Sequence, residues 1–162
     1  MLPVYKRILV ASDFTENSHQ AFKHAVMLAR HNNAKLYMVH VVPQVDPAMR
    51  SYISSVMGEG NLEKFEHSNI HAAHDELKKE LVAFARRELA DFPEDWHRFA
   101  GVEVVAGAPV FKILEVAEKL DVDLIVMGSH GKGPLKHAFL GSVAEKVLKK
   151  SHRPVFVVPL AP

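Results

Sequence analysis

Apolar residues cluster in five short runs: Arg7 to Ser12, Lys35 to Val42, Val102 to Ala106, Leu124 to Gly128 and Val155 to Val158. Each is too short and too rich in β-branched residues to be a helix fragment, and reads as a strand. Between them, apolar positions recur at helical spacing. Ala21, Phe22, Ala25, Val26 and Ala29 form one stripe, and Val110, Ile113, Leu114, Ala117 and Leu120 a second. Val143, Ala144, Val147 and Leu148 form a third, while the long stretch from Asn61 to Phe92 carries a fourth through Leu77, Leu81, Phe84, Ala85 and Leu89. Strands that are continuously apolar, each alternating with a helix, predict a parallel sheet covered on both faces, a doubly wound α/β fold.

Helix punctuation agrees with this division. Asn17 and Gln20 read as the start of the first helix, Asn32-Asn33 as its end, and Pro109 as the first turn of the helix after the third strand. The segment from Pro43 to Gly60, with Pro43, Pro47, Gly58 and Gly60, has no clean periodicity. It is the only long connection and is read as a mobile insertion or a lid.

Composition narrows the function classes. The 162 residues fit one domain, 1–162, with 48% apolar and 24% charged residues, as in ordinary soluble proteins. Twenty basic against 19 acidic residues leave a net charge of +1, so no nucleic-acid or anionic-lipid partner is expected. The absence of cysteine removes disulfides, thiolate metal sites and thiol catalysis, and fits a reducing compartment. No apolar run reaches the roughly 18 residues of a membrane span, and the first residues lack a secretory pattern. A cytoplasmic location without membrane insertion is expected.

The chemistry concentrates at Gly128-Ser129-His130-Gly131, followed after nine residues by Gly141-Ser142. The loop leaves an apolar strand and leads into an amphipathic helix. Glycines there let backbone N–H groups approach an anion, and the N–H groups and positive dipole end of the helix beginning at Ser142 favour the same ligand. A plainer reading is that Gly128 and Gly131 turn the chain while Ser142 and Glu145 form a capping box. In a doubly wound sheet, ligands bind beyond the carboxyl ends of the strands at the switch point. If the first strand neighbours the fourth, Asp13 faces the glycine loop. It could accept from ribose hydroxyls or hold a phosphate-bridging Mg²⁺; an Asx turn or a helix cap would also explain an aspartate there.

Commoner phosphate motifs do not fit. Gly128 and Gly133 have Walker A spacing, but Pro134 stands where the lysine is required, and Lys136 occupies the third glycine position of a dinucleotide fingerprint. Lys132, Lys136 and His137 could neutralise phosphate charge. His67, His71 and His74 sit at helical spacing without an H-E-x-x-H motif, and no G-x-S-x-G elbow occurs.

Ile8-Leu9-Val10-Ala11-Ser12-Asp13-Phe14-Thr15, Val39-His40-Val41-Val42, Gly128-Ser129-His130-Gly131, Gly141-Ser142 and Pro154-Val155-Phe156-Val157-Val158 together resemble the universal stress protein family. The resemblance spans nearly the whole chain. Its G-x2-G-x9-G-[ST] arrangement is that of the ATP-binding branch. The resemblance implies a five-stranded parallel sheet of order 3-2-1-4-5, the adenine nucleotide alpha hydrolase-like fold. By position it implies that Asp13 lies at the ribose and metal side, and that the backbone around Val41 meets the adenine edge. Ala11 and Met127 would line the base and ribose pocket, and Gly128, His130, Gly131, Gly141, Ser142 and Val143 would surround the phosphates, largely through main-chain N–H groups. The family also commonly pairs subunits through the last strand, and Val155 to Val158 would otherwise leave an uncovered apolar edge.

For catalysis, the residues after the strands offer only Asp13, His130 and His137, which is thin for turnover. The expected function is an adenine-nucleotide-binding regulatory or signalling protein of the stress response that binds ATP with Mg²⁺ and hydrolyses it slowly at most. The alternatives are a genuine ATPase or phosphotransferase, or a structural dimer that binds AMP or no nucleotide.

Overall fold

Ile8, Leu9 and Val10 are adjacent and all fully buried, which a strand achieves only when both faces of its sheet are covered. Ile8 and Val10 pack into one apolar cluster, and Leu9 packs into another on the opposite side. The computed structural model describes residues 1–44, 47–131 and 139–160, with the backbone alone at 65, 69 and 70. Strands β1 (Arg7–Ala11), β2 (Lys35–Val42), β3 (Phe99–Ala106), β4 (Leu124–Gly128) and β5 (Val155–Val158) form one sheet of order β3-β2-β1-β4-β5. Every neighbouring pair is parallel.

Helices α1 (Glu16–Asn32) and α3 (Glu59–Glu88) cover one face, where Phe22, Leu81 and Ala85 are buried against Ile8, Val10 and Met38. Helices α5 (Pro109–Lys119) and α6 (Ser142–Lys150) cover the other, where Ile113, Ala117 and Val147 meet Leu9, Val39 and Ile125. The doubly wound expectation holds. Strands two, four and five have the bounds that the apolar runs predict; β3 begins three residues earlier, at Phe99.

Two local expectations are corrected, and one helix is added. Helix α1 is capped by Thr15, whose side chain accepts from Ser18 N–H; Asn17 lies inside the first turn and is buried, so a distant partner outcompetes the cap. The segment from Pro43 to Gly60 contains helix α2 (Pro47–Met57), which packs on α3 and is held there by Arg50 bridging Glu59 and Glu66. Its apolar residues Met49, Tyr52 and Val56 are exposed, so the burial periodicity that normally betrays a helix is missing. The short helix α4 (Pro93–Trp96) was not legible as a periodic segment.

The order places β1 and β4 side by side, with Val10 opposite Val126. Strand order reverses between them, because β1 leads outward to β2 and β4 leads outward to β5 on the opposite side. The crossovers through α1 and α3 cover one face and those through α5 and α6 the other, which opens a crevice at the carboxyl ends of these two strands.

Candidate functional site

The crevice holds a cavity of about 490 Å³, within the range of small-molecule sites. Ala11, Asp13, Val41, Met127, Gly128, His130, Gly131, Gly141, Ser142 and Val143 all line it. They converge from β1, β2, β4, the loop after β4 and the start of α6, segments more than a hundred residues apart in the chain. Lys132, Lys136 and His137 lie outside the described residues.

One end of the cavity is apolar. Ala11, Val41 and Met127 are strand-end residues on the α5 and α6 face, and Ile113 and Pro109 from α5 close over them together with Val143. Ile113 escaped the motif reading because the spacing that marks it as the inner face of α5 also describes a plain core stripe, while Pro109 was legible only as the first turn of that helix. Pro43, beyond β2, also reaches the wall.

The other end is polar. Asp13 is the only carboxylate lining the cavity among the described residues. Its Oδ1 accepts from Thr15 N–H at 3.1 Å and from the Thr15 hydroxyl, so the Asx turn does form. Its Oδ2 faces Gly131, where an added Cβ would lie 2.6 Å away. Phe14, at φ 64°, takes the left-handed conformation that folds this turn, and its ring packs edge-on to His40 at 4.7 Å. His40 donates from Nδ1 to the carbonyl of Ser12 at 2.8 Å.

The glycines of the loop are explained by close approach. None of Gly128, Gly131 and Gly141 has positive φ. A Cβ at Gly128 would fall 2.4 Å from Asn17 Oδ1, and one at Gly141 would fall 2.9 Å from the carbonyl oxygen of Ser129. The expectation that the loop's main-chain N–H groups serve a ligand is corrected in part. Ser129 N–H donates to Val158 O, His130 N–H to Asn17 Oδ1, and Gly141 N–H to Ser129 O. These amides hold the loop together. The amides at the start of α6, on Ser142, Val143 and Ala144, have no carbonyl within the helix to bond, since the first intrahelical bond runs from Glu145 N–H to Gly141 O. They bring the positive end of the helix dipole to the cavity wall. The capping box does not form: Gly141 is the N-cap, no side chain among the described residues caps the helix, and Glu145 pairs with Lys149.

His130 is oriented through its ring. Its Nδ1 lies 2.8 Å from Ser129 Oγ, which itself accepts from Leu160 N–H at 3.0 Å. Ser129 and Asn17, both buried, are the polar residues that sequence reasoning missed. No periodic pattern signals them, because each is tied to backbone groups of another segment, Asn17 to His130, Val158 and Pro159 and Ser129 to Leu160. Among the described residues no cluster of three or more potential metal ligands exists, and no helix is long and apolar enough to cross a membrane.

Comparison with known proteins decides the family. The model of the universal stress protein family matches residues 4–159. The chain belongs to this family. Universal stress protein MJ0577 of Methanocaldococcus jannaschii is 34% identical over 162 residues, covering 98% of this chain and 97% of that one. The solved structure of MJ0577 matches with a TM-score of 0.75 at 32% identity, over 98% of this chain and 99% of that one. Two universal stress proteins solved with nucleotides share the fold. One is in complex with cAMP (TM-score 0.54, 23% identity, 96% and 98% of the two chains). The other, from Archaeoglobus fulgidus, is in complex with dAMP (0.57, 22%, 95% and 98%). The fold is the adenine nucleotide alpha hydrolase-like one, and membership of the family supports a role in the stress response.

Proposed function

We propose that this chain is a cytoplasmic, regulatory universal stress protein that binds ATP with Mg²⁺ in the cavity between β1 and β4. The observation that carries the reading is the division of that single cavity into an apolar slot and a polar end with a helix N-terminus. An adenine ring would enter between Val41, Met127 and Ile113, where its faces replace water against apolar side chains. The backbone around Val41 would read the base edge. The phosphates would lie at Ser142 and Val143, where amides without an acceptor inside the helix and the helix dipole offset anionic charge. His130, oriented by Ser129, would donate to a phosphate oxygen, and Gly128, Gly131 and Gly141 would keep the loop close enough for these contacts.

Mg²⁺ binds through one or two carboxylates, with phosphates and waters supplying its other ligands. The donor set fits that mode. Asp13 is the one carboxylate that lines the cavity among the described residues; its Oδ1 accepts from Thr15 and its Oδ2 lies on the Gly131 side. Asp13 would hold the ion, which when bound would offset triphosphate charge. Slow hydrolysis at most is the expected chemistry. Asp13, His130 and His40 are the titratable groups in the described wall, and Asp13 Oδ1 and His40 Nδ1 are each engaged in a local hydrogen bond, which leaves a thin set for turnover.

Two nucleotide-complexed relatives carry an adenine monophosphate, which makes AMP the second candidate. A homodimer through Val155, Phe156, Val157 and Val158 is also proposed. β5 is a sheet edge bracketed by Pro154 and Pro159, and Phe156 is 39% exposed. Calorimetric titration with ATP, AMP, cAMP and pyrophosphate, with and without Mg²⁺, tests the ligand. ATP with Mg²⁺ is expected to bind most tightly; no ATP binding in either buffer overturns the proposal. Sedimentation velocity across a concentration series tests the dimer.

A further inference from the structure

We infer that Asn17 is a positioning residue for the anion-binding end of the cavity: its buried carboxamide locks the glycine loop to the end of β5. The inference rests on the nucleotide-binding reading above.

Asn17 is 3% exposed although it occupies the first turn of α1, where polar side chains ordinarily cap the helix or meet water. Among the described residues, its side chain bonds to nothing within α1. Its Oδ1 accepts from His130 N–H at 2.9 Å, and its Nδ2 donates to Val158 O at 3.2 Å and Pro159 O at 3.3 Å. These partners lie 113, 141 and 142 residues away. The orientation is unique, since a flipped amide would set its NH₂ against an N–H and its oxygen against two carbonyls.

Gly128 supports the same assignment independently. The three atoms nearest to a Cβ at this position all belong to Asn17, at 2.4, 2.6 and 3.2 Å. Without positive φ, Gly128 is needed for room and not for backbone freedom. The glycine is there to admit the amide. Parallel ties from Ser129 N–H to Val158 O and from Leu160 N–H to Ser129 Oγ join the same two segments. Once the His130 amide is turned inward onto Asn17, the ring of His130 and the following Gly131 are left along the cavity wall beside Asp13. Asn17 itself does not line the cavity. It acts through the loop, so its loss should weaken contacts to phosphate and leave the adenine slot, built from β2, β4 and α5, unchanged.

The test is calorimetric titration of the full chain with ATP and with adenosine, for the wild type, Asn17→Ala, Asn17→Asp, Gly128→Ala and the double variant Asn17→Ala with Gly128→Ala. By analogy with the outer-shell partners that orient metal-ligating side chains, each single variant should weaken ATP binding by about tenfold or more and leave adenosine binding unchanged. The double variant should be no worse than the weaker single one, because Gly128→Ala no longer meets the amide. Unchanged ATP affinity, a parallel loss for ATP and adenosine, or additive losses would overturn the inference. A wild type that does not bind ATP overturns the underlying reading instead. Should the variants not fold, hydrogen exchange on the wild type decides. The His130 amide must be protected without ligand, and exchange at the rate of an open loop refutes the tie.

Discussion

Gly141→Ala places a methyl group 2.9 Å from Ser129 O and 3.3 Å from His130 Cα, both main chain. The oxygen contact is about 0.5 Å inside ordinary van der Waals separation. No side chain can rotate to relieve it, so α6 and the loop must part, stretching the 2.7 Å bond from Gly141 N–H to Ser129 O. Overpacking of this kind costs about 1–3 kcal/mol. For a chain of this size each kcal/mol lowers Tm by about 2–4 °C. The same displacement moves the Ser142 and Val143 amides away from the loop, and a tenfold weaker ATP site is expected. At ATP a hundred times the wild-type Kd, ligand stabilisation would then fall from about 2.7 to about 1.4 kcal/mol. Thermal melting of both proteins with and without ATP and Mg²⁺ measures the two effects together. Gly101→Ala, where an added Cβ meets nothing within 4 Å, is the control and should match the wild type in both. An equal ATP-induced shift in Gly141→Ala and wild type would refute the role given to the start of α6.

Three further outcomes are expected. Asp13→Asn keeps an oxygen for Thr15 but removes the charge, so ATP affinity should lose its dependence on Mg²⁺ in calorimetry; an undiminished Mg²⁺ effect would remove Asp13 from the metal. The buried Asp95 receives Arg30 through both carboxylate oxygens and Arg98 at 3.1 Å, so Asp95→Ala should cost about 3 kcal/mol in urea unfolding, a loss under about 1 kcal/mol contradicting this. Burial first, then the charges of His71 and Lys78, lower the His74 pKa below the ordinary 6.5. The unfolded chain therefore takes up this proton first, and stability is full above pH 6.5 and falls as the pH drops below it. His74→Gln should lose less stability than the wild type between pH 7.5 and 5.5, and identical pH profiles would refute the assignment.

The sequence by itself determined the elements and their faces. Continuous apolar strands and stripes at helical spacing record burial directly, which is why β2, β4 and β5 have the bounds their apolar runs predict and why all five apolar residues of the α1 stripe are buried. Helix α2 escaped because it buries none of its side chains, so its pattern carries no imprint of a core. The positions of the glycine motif were legible, but their reasons were not. Only the folded chain brings Asn17 under Gly128, Asp13 against Gly131 and the Ser129 carbonyl onto Gly141. It likewise turns the Ser129, His130 and Gly141 amides inward and leaves those of Ser142 and Val143 at the cavity. Local periodicity is written by what each residue buries against its own element's face. A hydrogen bond between groups on different elements, such as His130 N–H to Asn17 across 113 residues, leaves no such periodic trace, so tertiary packing alone decides which amides remain for a ligand.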